Sequence, residues 1–151
     1  MTELRKNRTI LMAEDDLDDF FLARDALEES GLLVDFRLVS DGEELMDYLL
    51  RRGKYAEEED TPLPDLILLD LNMPRKDGRE ALLEIKQNNN LRWIPVVVLT
   101  TSKQEKDVSY CYQLGASSFM TKPVTFKALV ELMRKVGEIV SKGRKATCQT
   151  P

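Results

Sequence analysis

Three carboxylates directly follow apolar segments of the chain and could together bind a metal ion. Glu14 and Asp15 come after the run TILMA, and Asp70 comes after the run LILL. If they share one site, two carboxylates at close range repel each other by ~4 kcal/mol at an effective dielectric constant of 20. A divalent cation relieves this repulsion. Oxygen ligands without histidine or cysteine favour Mg²⁺ over Zn²⁺.

Two further polar groups could complete a site for a phosphoryl group. Thr100 follows the apolar run VVVL, and Lys122 follows the segment SFMT. A hydroxyl and an ammonium beside a metal-bound carboxylate can hold the oxygens of a phosphoryl group. The chemistry that fits is in-line attack of a carboxylate oxygen on a phosphoryl donor, which gives an acyl phosphate.

Each of these residues also has a purely structural interpretation when it is taken alone. An acidic cluster after a strand often caps the next helix and interacts with its dipole. Asp70 and Asp77-Gly78 can be turn residues, and Thr100 can cap a helix. Lys122 can be a surface lysine before a turn. The chemical interpretation therefore depends on the fold bringing these segments together.

Five short segments have the composition of β-strands, and three of them are almost continuously apolar, which is typical of covered parallel strands. The apolar three are Thr9–Ala13, Leu66–Leu69 and Val96–Leu99, and the weaker two are Asp35–Val39 and Ser118–Thr121. A helical pattern follows each strand, and Thr125 is the expected N-cap of the last helix.

This alternation predicts the α/β class, with a doubly wound sheet of five parallel strands and five helices on its two faces. Ligands of such sheets bind at the carboxyl ends of the strands, where four of the five strands deliver polar groups. We expect one domain over residues 1–151, with a core at about 8–140. We also expect an acidic surface loop at 54–64 and a loosely ordered polar tail at about 142–151.

The composition excludes several classes of function. The chain has no histidine, which removes catalytic triads and histidine-ligated zinc. Its formal net charge of −5 argues against binding nucleic acid or anionic membrane through bulk charge. Cys111 and Cys148 are far apart and are expected to be reduced thiols. No apolar run has the length of a membrane span or a signal peptide, so we expect a cytoplasmic protein.

Four motifs, in this order, resemble the receiver domain of two-component response regulators. They are ILMAEDD, PDLILLDLNMPRKDG, PVVVLTTS and GASSFMTKP, and the resemblance covers about residues 8–140. It implies the flavodoxin-like receiver fold and a phosphorelay function. In that function a partner histidine kinase gives a phosphoryl group to the chain in the presence of Mg²⁺. The chain would then be a phosphoacceptor and not an enzyme that turns over a small substrate.

The resemblance also implies roles for the residues that bind the metal and the phosphoryl group. Asp70 corresponds to the phosphoacceptor and Asp15 to the direct Mg²⁺ ligand. Glu14 corresponds to the partner carboxylate, which often binds the metal through water. Asn72 would supply a backbone carbonyl to the metal.

A second set of positions corresponds to the switch of the family. Thr100 resembles the switch hydroxyl, Lys122 the lysine that pairs with the phosphoryl group, and Phe119 the switch aromatic residue. Pro123 suggests a cis Lys122–Pro123 peptide bond. The chain departs from many relatives at Thr101, where an alanine is common, and at Phe119, which lacks a tyrosine hydroxyl.

The resemblance extends to partners. The segment from Asp70 to Ser102, with the acidic loop before it, is most similar to the small response regulators of cyanobacterial-type phytochromes. It implies a sensor histidine kinase of the phytochrome type and a downstream protein target. Because the chain ends soon after the fifth helix, we expect a stand-alone receiver. A homodimer is expected through the fourth helix, fifth strand and fifth helix, where Tyr110 or Tyr112 should be exposed.

Three alternatives stay open at this point. A Mg²⁺-dependent phosphohydrolase of the haloacid dehalogenase class also forms an aspartyl phosphate, but it has a second Asp where this chain has Asn72. A receiver-like scaffold that is never phosphorylated is the second. A nucleotide-binding flavodoxin-like protein is the third, although no glycine-rich phosphate loop follows the first strand.

Overall fold

The computed structural model describes residues 8–149, and the surroundings of side chains for residues 8–141. The β-strands are β1 Arg8–Ala13, β2 Val34–Val39, β3 Leu66–Leu69, β4 Val96–Thr100 and β5 Ser118–Thr121. The α-helices are α1 Leu17–Glu29, α2 Gly42–Leu50, α3 Gly78–Gln87, α4 Glu105–Leu114 and α5 Phe126–Gln149. Strands and helices alternate, as the sequence predicts.

The five strands form one parallel sheet in the order β2-β1-β3-β4-β5. The chain first moves from β1 to β2 on one side, and then returns past β1 to β3. The direction of winding therefore reverses between β1 and β3, where sheets of this kind bind their ligands. This topology confirms the predicted doubly wound α/β fold.

Two apolar clusters cover the two faces of the sheet, and alternate residues of each central strand belong to different clusters. On β3, Leu66 and Leu68 pack with α1 and α5, whereas Ile67 and Leu69 pack with α2, α3 and α4. All four side chains are fully buried. This two-sided burial explains why the segment is continuously apolar rather than alternating.

Short polar side chains fix the starts of the helices. Asp16, Asp41 and Asp77 accept hydrogen bonds from backbone N–H groups in the first turns of α1, α2 and α3. Thr125 Oγ1 accepts from the N–H of Ala128 at 3.1 Å, which confirms it as the N-cap of α5. The capping interpretation of the first acidic cluster therefore applies to Asp16.

The loop at residues 54–64 is exposed over most of its length, but it is anchored to the domain. It begins within a 3-10 helix, Gly53–Tyr55, which buries the ring of Tyr55. Arg51 donates to the carbonyls of Thr61 and Glu58, both at 2.9 Å. Arg37 donates to the carbonyl of Asp60 at 2.8 Å. Charged hydrogen bonds thus hold a segment whose composition predicts only a surface loop.

Helix α5 continues beyond the predicted boundary at residue 142. It runs to Gln149, so the backbone of 142–149 is helical where the sequence predicts a loosely ordered tail. Residues 150–151 and the side chains of 142–149, including that of Cys148, lie outside what the structure describes. Lys, Arg, Ala and Gln are good helix formers, and Gly143 costs only about 1 kcal/mol relative to alanine. Neither α5 nor any other described helix is long and apolar enough to cross a bilayer.

Candidate functional site

Three carboxylates meet where β1 and β3 end. One oxygen each from Glu14, Asp15 and Asp70 lies within 4.8 Å of the other two. Glu14 and Asp70 are buried, with 1% and 6% exposure, whereas Asp15 is exposed. The cluster therefore has two carboxylates fixed in the protein and a third that faces solvent.

Strand pairing places these carboxylates. Ala13 and Leu69 are paired across β1 and β3, so the residues that follow them leave the sheet side by side. The N–H of Asp70 donates to the carbonyl of Ala13 at 3.1 Å, which extends this pairing by one residue. Gly78 completes the arrangement, because a Cβ there would lie 2.4 Å from the carbonyl oxygen of Asp70. Only a glycine lets α3 begin so close to that strand end.

Lys122, at the end of β5, carries the positive charge of the cluster. Its Nζ donates to Glu14 Oε1 at 2.7 Å and to Asp19 Oδ2 at 2.8 Å, and it lies 3.5 Å from Asp70 Oδ2. Burial by itself lowers the pKa of Lys122. The hydrogen bonds to Asp19 and Glu14 and the charge of Asp70 outweigh burial and raise that pKa, so the ammonium stays charged.

Glu14 shows the cost of burying a carboxylate beside another one. Burial, which disfavours the charged form, raises the pKa of Glu14 to about 7, and the charge of Asp70 adds to this effect. The hydrogen bond from Lys122 opposes the rise, as does the N–H of Asp16, which donates to Glu14 Oε2 at 3.1 Å. One ammonium therefore does not fully compensate the cluster.

The donor set fits a hard divalent cation. Buried carboxylate oxygens with incomplete compensation gain from a dipositive ion, which favours their charged forms. Asn72 lies beside the cluster, and its N–H donates to Asp70 Oδ1 at 3.3 Å. The backbone of residues 70–72 thus stays at the site, where a carbonyl could serve as a further ligand.

Of the predicted switch residues, Thr100 lies at the carboxyl end of β4, whereas Phe119 is the second residue of β5. Thr100 is fully buried, and its Oγ1 accepts from the N–H of Ser102 at 3.4 Å. Thr101 is exposed. Phe119 is partly buried against the α2–α3–α4 side of the core, and its N–H donates to Tyr112 Oη at 3.0 Å. That hydrogen bond ties the edge strand β5 to α4.

The prediction of a cis peptide bond between Lys122 and Pro123 was wrong, because no peptide bond in the described part of the chain is cis. For a bond before proline, trans is favoured by about 0.5–1 kcal/mol unless the surroundings select cis. Here the N–H of Lys122 donates to the carbonyl of Thr100 at 2.9 Å, and Pro123 is followed by the fully exposed Val124. The turn is therefore formed with the default isomer.

A groove of about 470 Å³ opens beside the carboxylates. It is lined by Asn72, Arg79, Ser102, Lys103, Gln104, Lys106 and Asp107. Arg79 is paired with Asp107 within this lining, so Lys103 and Lys106 are the charges that the groove offers to an anion. A phosphoryl donor could approach along this groove.

Sequence reasoning missed two sets of residues around the site. Asp19 contacts Lys122, and its position in the first turn after the acidic cluster was the available signal. Arg79 donates to both carboxylate oxygens of Asp107 at 2.9 Å, and Ser102 Oγ donates to Asp107 Oδ2 at 2.6 Å. No sequence pattern indicates this second contact, which joins α3 to α4 across 28 residues.

Comparisons with known proteins agree with this geometry. Residues 10–134 match the family model described as the response regulator receiver domain. The chain is 43% identical over 129 residues to the response regulator Rcp1 of Synechocystis sp., covering 85% of this chain and 86% of Rcp1. The crystal structure of Mn²⁺-bound Rcp1 superposes with a TM-score of 0.77 at 43% identity, covering 85% of this chain and 91% of the other. That of the phosphorylated cyanobacterial phytochrome response regulator RcpA gives 0.79 at 41% identity, covering 87% and 92%.

Proposed function

This chain belongs to the response regulator receiver domain family, and we propose that it accepts a phosphoryl group on Asp70 from a partner histidine kinase. The observation that carries the proposal is the position of Asp70. It is a buried carboxylate at the winding reversal of the sheet, within 4.8 Å of oxygens of Glu14 and Asp15 and 3.5 Å from the ammonium of Lys122.

Asp15, Asp70 and the backbone carbonyl of Asn72 would hold Mg²⁺, with Glu14 bound through water. The ion would neutralise charge on the phosphoryl oxygens during transfer. The support for a divalent cation is the carboxylate cluster itself, together with the Mn²⁺-bound form of Rcp1. Oxygen ligands and a phosphoryl substrate favour Mg²⁺ among the common cations.

In the transfer, a carboxylate oxygen of Asp70 attacks phosphorus in line. The phosphorus–nitrogen bond of the kinase phosphohistidine breaks, and its electron pair returns to the imidazole nitrogen. The product is an acyl phosphate on Asp70. Lys122 compensates the added negative charge through an N–H that can reach an oxygen on Asp70. The chain thus acts as a stoichiometric acceptor, not as a turnover enzyme.

Phosphorylation would shift the population between two conformers. Thr100 would move its hydroxyl toward a phosphoryl oxygen, and Phe119 would turn further into the space that becomes free. Thr101, exposed beside Thr100, would adjust access to the phosphoryl group. Since Phe119 lies on β5 and contacts Tyr112 of α4, its movement would change the α4–β5–α5 surface.

This surface is the proposed output, toward a downstream protein or a second copy of the chain. The kinase is proposed to be of the phytochrome type, because RcpA is described as a phytochrome response regulator. The proposed compartment is the cytoplasm. The buried free thiol of Cys111 fits a reducing compartment.

The experiment treats the protein with acetyl phosphate and Mg²⁺ and measures its intact mass. The wild type should gain one phosphoryl group, whereas Asp70→Asn should gain none and retain its fold. Asp18→Asn, which removes a nearby exposed carboxylate, is the matched control and should be labelled like the wild type. An unmodified wild type would support the scaffold alternative, and full labelling of Asp70→Asn would refute Asp70 as the acceptor.

A further inference from the structure

Among the residues that the structure describes, Asp19 is the partner of Lys122 that has no part in the chemistry described above. It lies on α1, five residues after Glu14, and its Oδ2 accepts from Lys122 Nζ at 2.8 Å. Its side chain is 35% exposed, whereas that of Lys122 is 17% exposed. The contact therefore joins the ammonium of a lysine that follows β5 to the helix that follows β1.

The hydrogen bonds of the ammonium suggest what this contact does. An ammonium has three N–H donors. Glu14 and Asp19 take two of them at 2.7 and 2.8 Å, and Asp70 lies at 3.5 Å, beyond a normal hydrogen bond. The third donor thus stays available for an oxygen that is added to Asp70.

We infer that Asp19 is a positioning residue, which anchors the ammonium of Lys122 beside Asp70 before the phosphoryl group arrives. This inference rests on the proposed function. A lysine side chain loses substantial rotamer freedom when it is immobilised. Because Glu14 and Asp19 already hold Lys122, most of the entropic cost of ordering its side chain is met before the phosphoryl group is bound.

The test measures the affinity for beryllofluoride, a mimic of the phosphoryl group, at saturating Mg²⁺. Asp19→Asn keeps the shape of the side chain but loses the ionic anchor, and it should weaken beryllofluoride binding about 3- to 10-fold. Asp18→Asn removes a charge from the same first turn of α1, without a hydrogen bond or ion pair of that carboxylate among the described residues. It should bind like the wild type.

A charge effect is separated from anchoring by two further measurements. The affinity for Mg²⁺ alone should fall by similar factors in Asp19→Asn and Asp18→Asn, because both lose one negative charge at this edge. In a Lys122→Met background, Asp19→Asn should no longer weaken beryllofluoride binding, since its effect acts through Lys122. A persisting effect in that background would overturn the inference.

Mobility provides a readout that needs neither metal nor phosphoryl group. Relaxation of the ¹³C-labelled ε-methylene of Lys122 should show faster motion in Asp19→Asn than in Asp18→Asn or the wild type. Equal mobility in the three proteins would refute the anchor. Tighter beryllofluoride binding by Asp19→Asn would also refute it, because Asp19 would then compete for Lys122. A wild type that does not bind beryllofluoride would contradict the proposed function, while the mobility measurement would still decide on the anchor.

Discussion

At the scale of single residues, the site is a balance between several carboxylates and one ammonium. Lys122 contacts Glu14 and Asp19 and lies near Asp70, and it holds their charges together at the ends of three strands. Burial of Glu14 makes that balance incomplete, as its raised pKa of about 7 indicates. A divalent cation would add the missing positive charge, and it can reach the cluster from solvent at the exposed carboxylate of Asp15.

The first prediction concerns Asp15. Asp15→Ala should abolish measurable Mg²⁺ binding and reduce phosphorylation by acetyl phosphate at least tenfold, because a cluster of three carboxylates loses its accessible ligand. The fold should be retained, since the side chain is exposed. Calorimetric titration with Mg²⁺ and intact mass measure the two effects. Asp18→Asn is the control for the loss of one negative charge, and it should still bind Mg²⁺ and accept the phosphoryl group. Phosphorylation of the wild type in excess chelator would contradict the metal role.

A second prediction separates phosphorylation from switching. Thr100 is fully buried and its hydroxyl contacts the N–H of Ser102. Thr100→Ala removes the hydroxyl but none of the carboxylates, so it should accept the phosphoryl group at a rate within a few fold of the wild type. The changes in the NMR chemical shifts of Phe119 on addition of beryllofluoride should be much smaller in this variant than in the wild type. If the shift changes of Phe119 were the same in Thr100→Ala and the wild type, Thr100 would not be coupled to a movement of Phe119.

At the scale of elements, α3 and α4 are joined by a partly buried ion pair in the groove beside the site. Asp107 in the first turn of α4 receives two hydrogen bonds from Arg79 and one from Ser102. Ser102 also contacts Thr100 through its N–H. Helix α4, which is part of the proposed output surface, is thus connected to Thr100, the proposed switch residue, through a short path of hydrogen bonds.

The pKa of Asp107 leads to a prediction on stability. Hydrogen bonds from Arg79 and Ser102 lower it from 3.8 to about 2. As the pH falls, Asp107 is therefore protonated in the unfolded chain before it is protonated in the folded protein. Its stabilisation of the fold is complete above about pH 4 and is lost as the pH falls through about 2. Arg79→Gln should lower the free energy of unfolding at pH 7 by about 1–2 kcal/mol, and the difference from the wild type should shrink below pH 4.

Urea unfolding between pH 7 and pH 2.5 measures this effect. Arg134→Gln is the control, because Arg134 pairs with Glu131 on the exposed surface of α5. Such a pair contributes at most about 1 kcal/mol. If the Arg79→Gln and Arg134→Gln proteins have the same stability at pH 7, the ion pair does not stabilise the α3–α4 contact.

At the scale of the whole molecule, the sequence predicts the positions of the strands, because buried strands are runs of consecutive apolar residues. The strands β3 and β5 have the predicted bounds, and β1, β2 and β4 are one residue longer, since apolar runs and polar ends define strands well. The partner of a long side chain is harder to predict, because it depends on tertiary distance. The pairs Asp19–Lys122 and Arg79–Asp107 were therefore not predicted, although the position of Asp19 after the acidic cluster was a signal for the first of them. The helical tail and the trans bond before Pro123 depend on small energy differences, which local composition does not resolve.

The exposed aromatic side chains of α4 motivate the last prediction, that two copies of the chain associate through α4, β5 and α5. Tyr110 and Tyr112 are 39% and 48% exposed, and Phe126 at the start of α5 is 44% exposed. Aromatic side chains are enriched in interfaces, and a stable dimer buries about 800 Å² per partner. Light scattering at high micromolar concentration should give a dimeric mass, with a larger dimeric fraction after addition of beryllofluoride and Mg²⁺.

Tyr110→Lys should shift that equilibrium to the monomer, because it places a charge in the contact while leaving the Tyr112–Phe119 hydrogen bond in place. Trp93→Lys is the matched control, since Trp93 is an exposed aromatic residue, at 52%, in the turn before β4 rather than on this face. It should dimerise like the wild type. Dissociation by both variants would place the contact elsewhere or make it unspecific. A wild type that stays monomeric with and without beryllofluoride would refute the homodimer and leave the α4–β5–α5 face to a different protein.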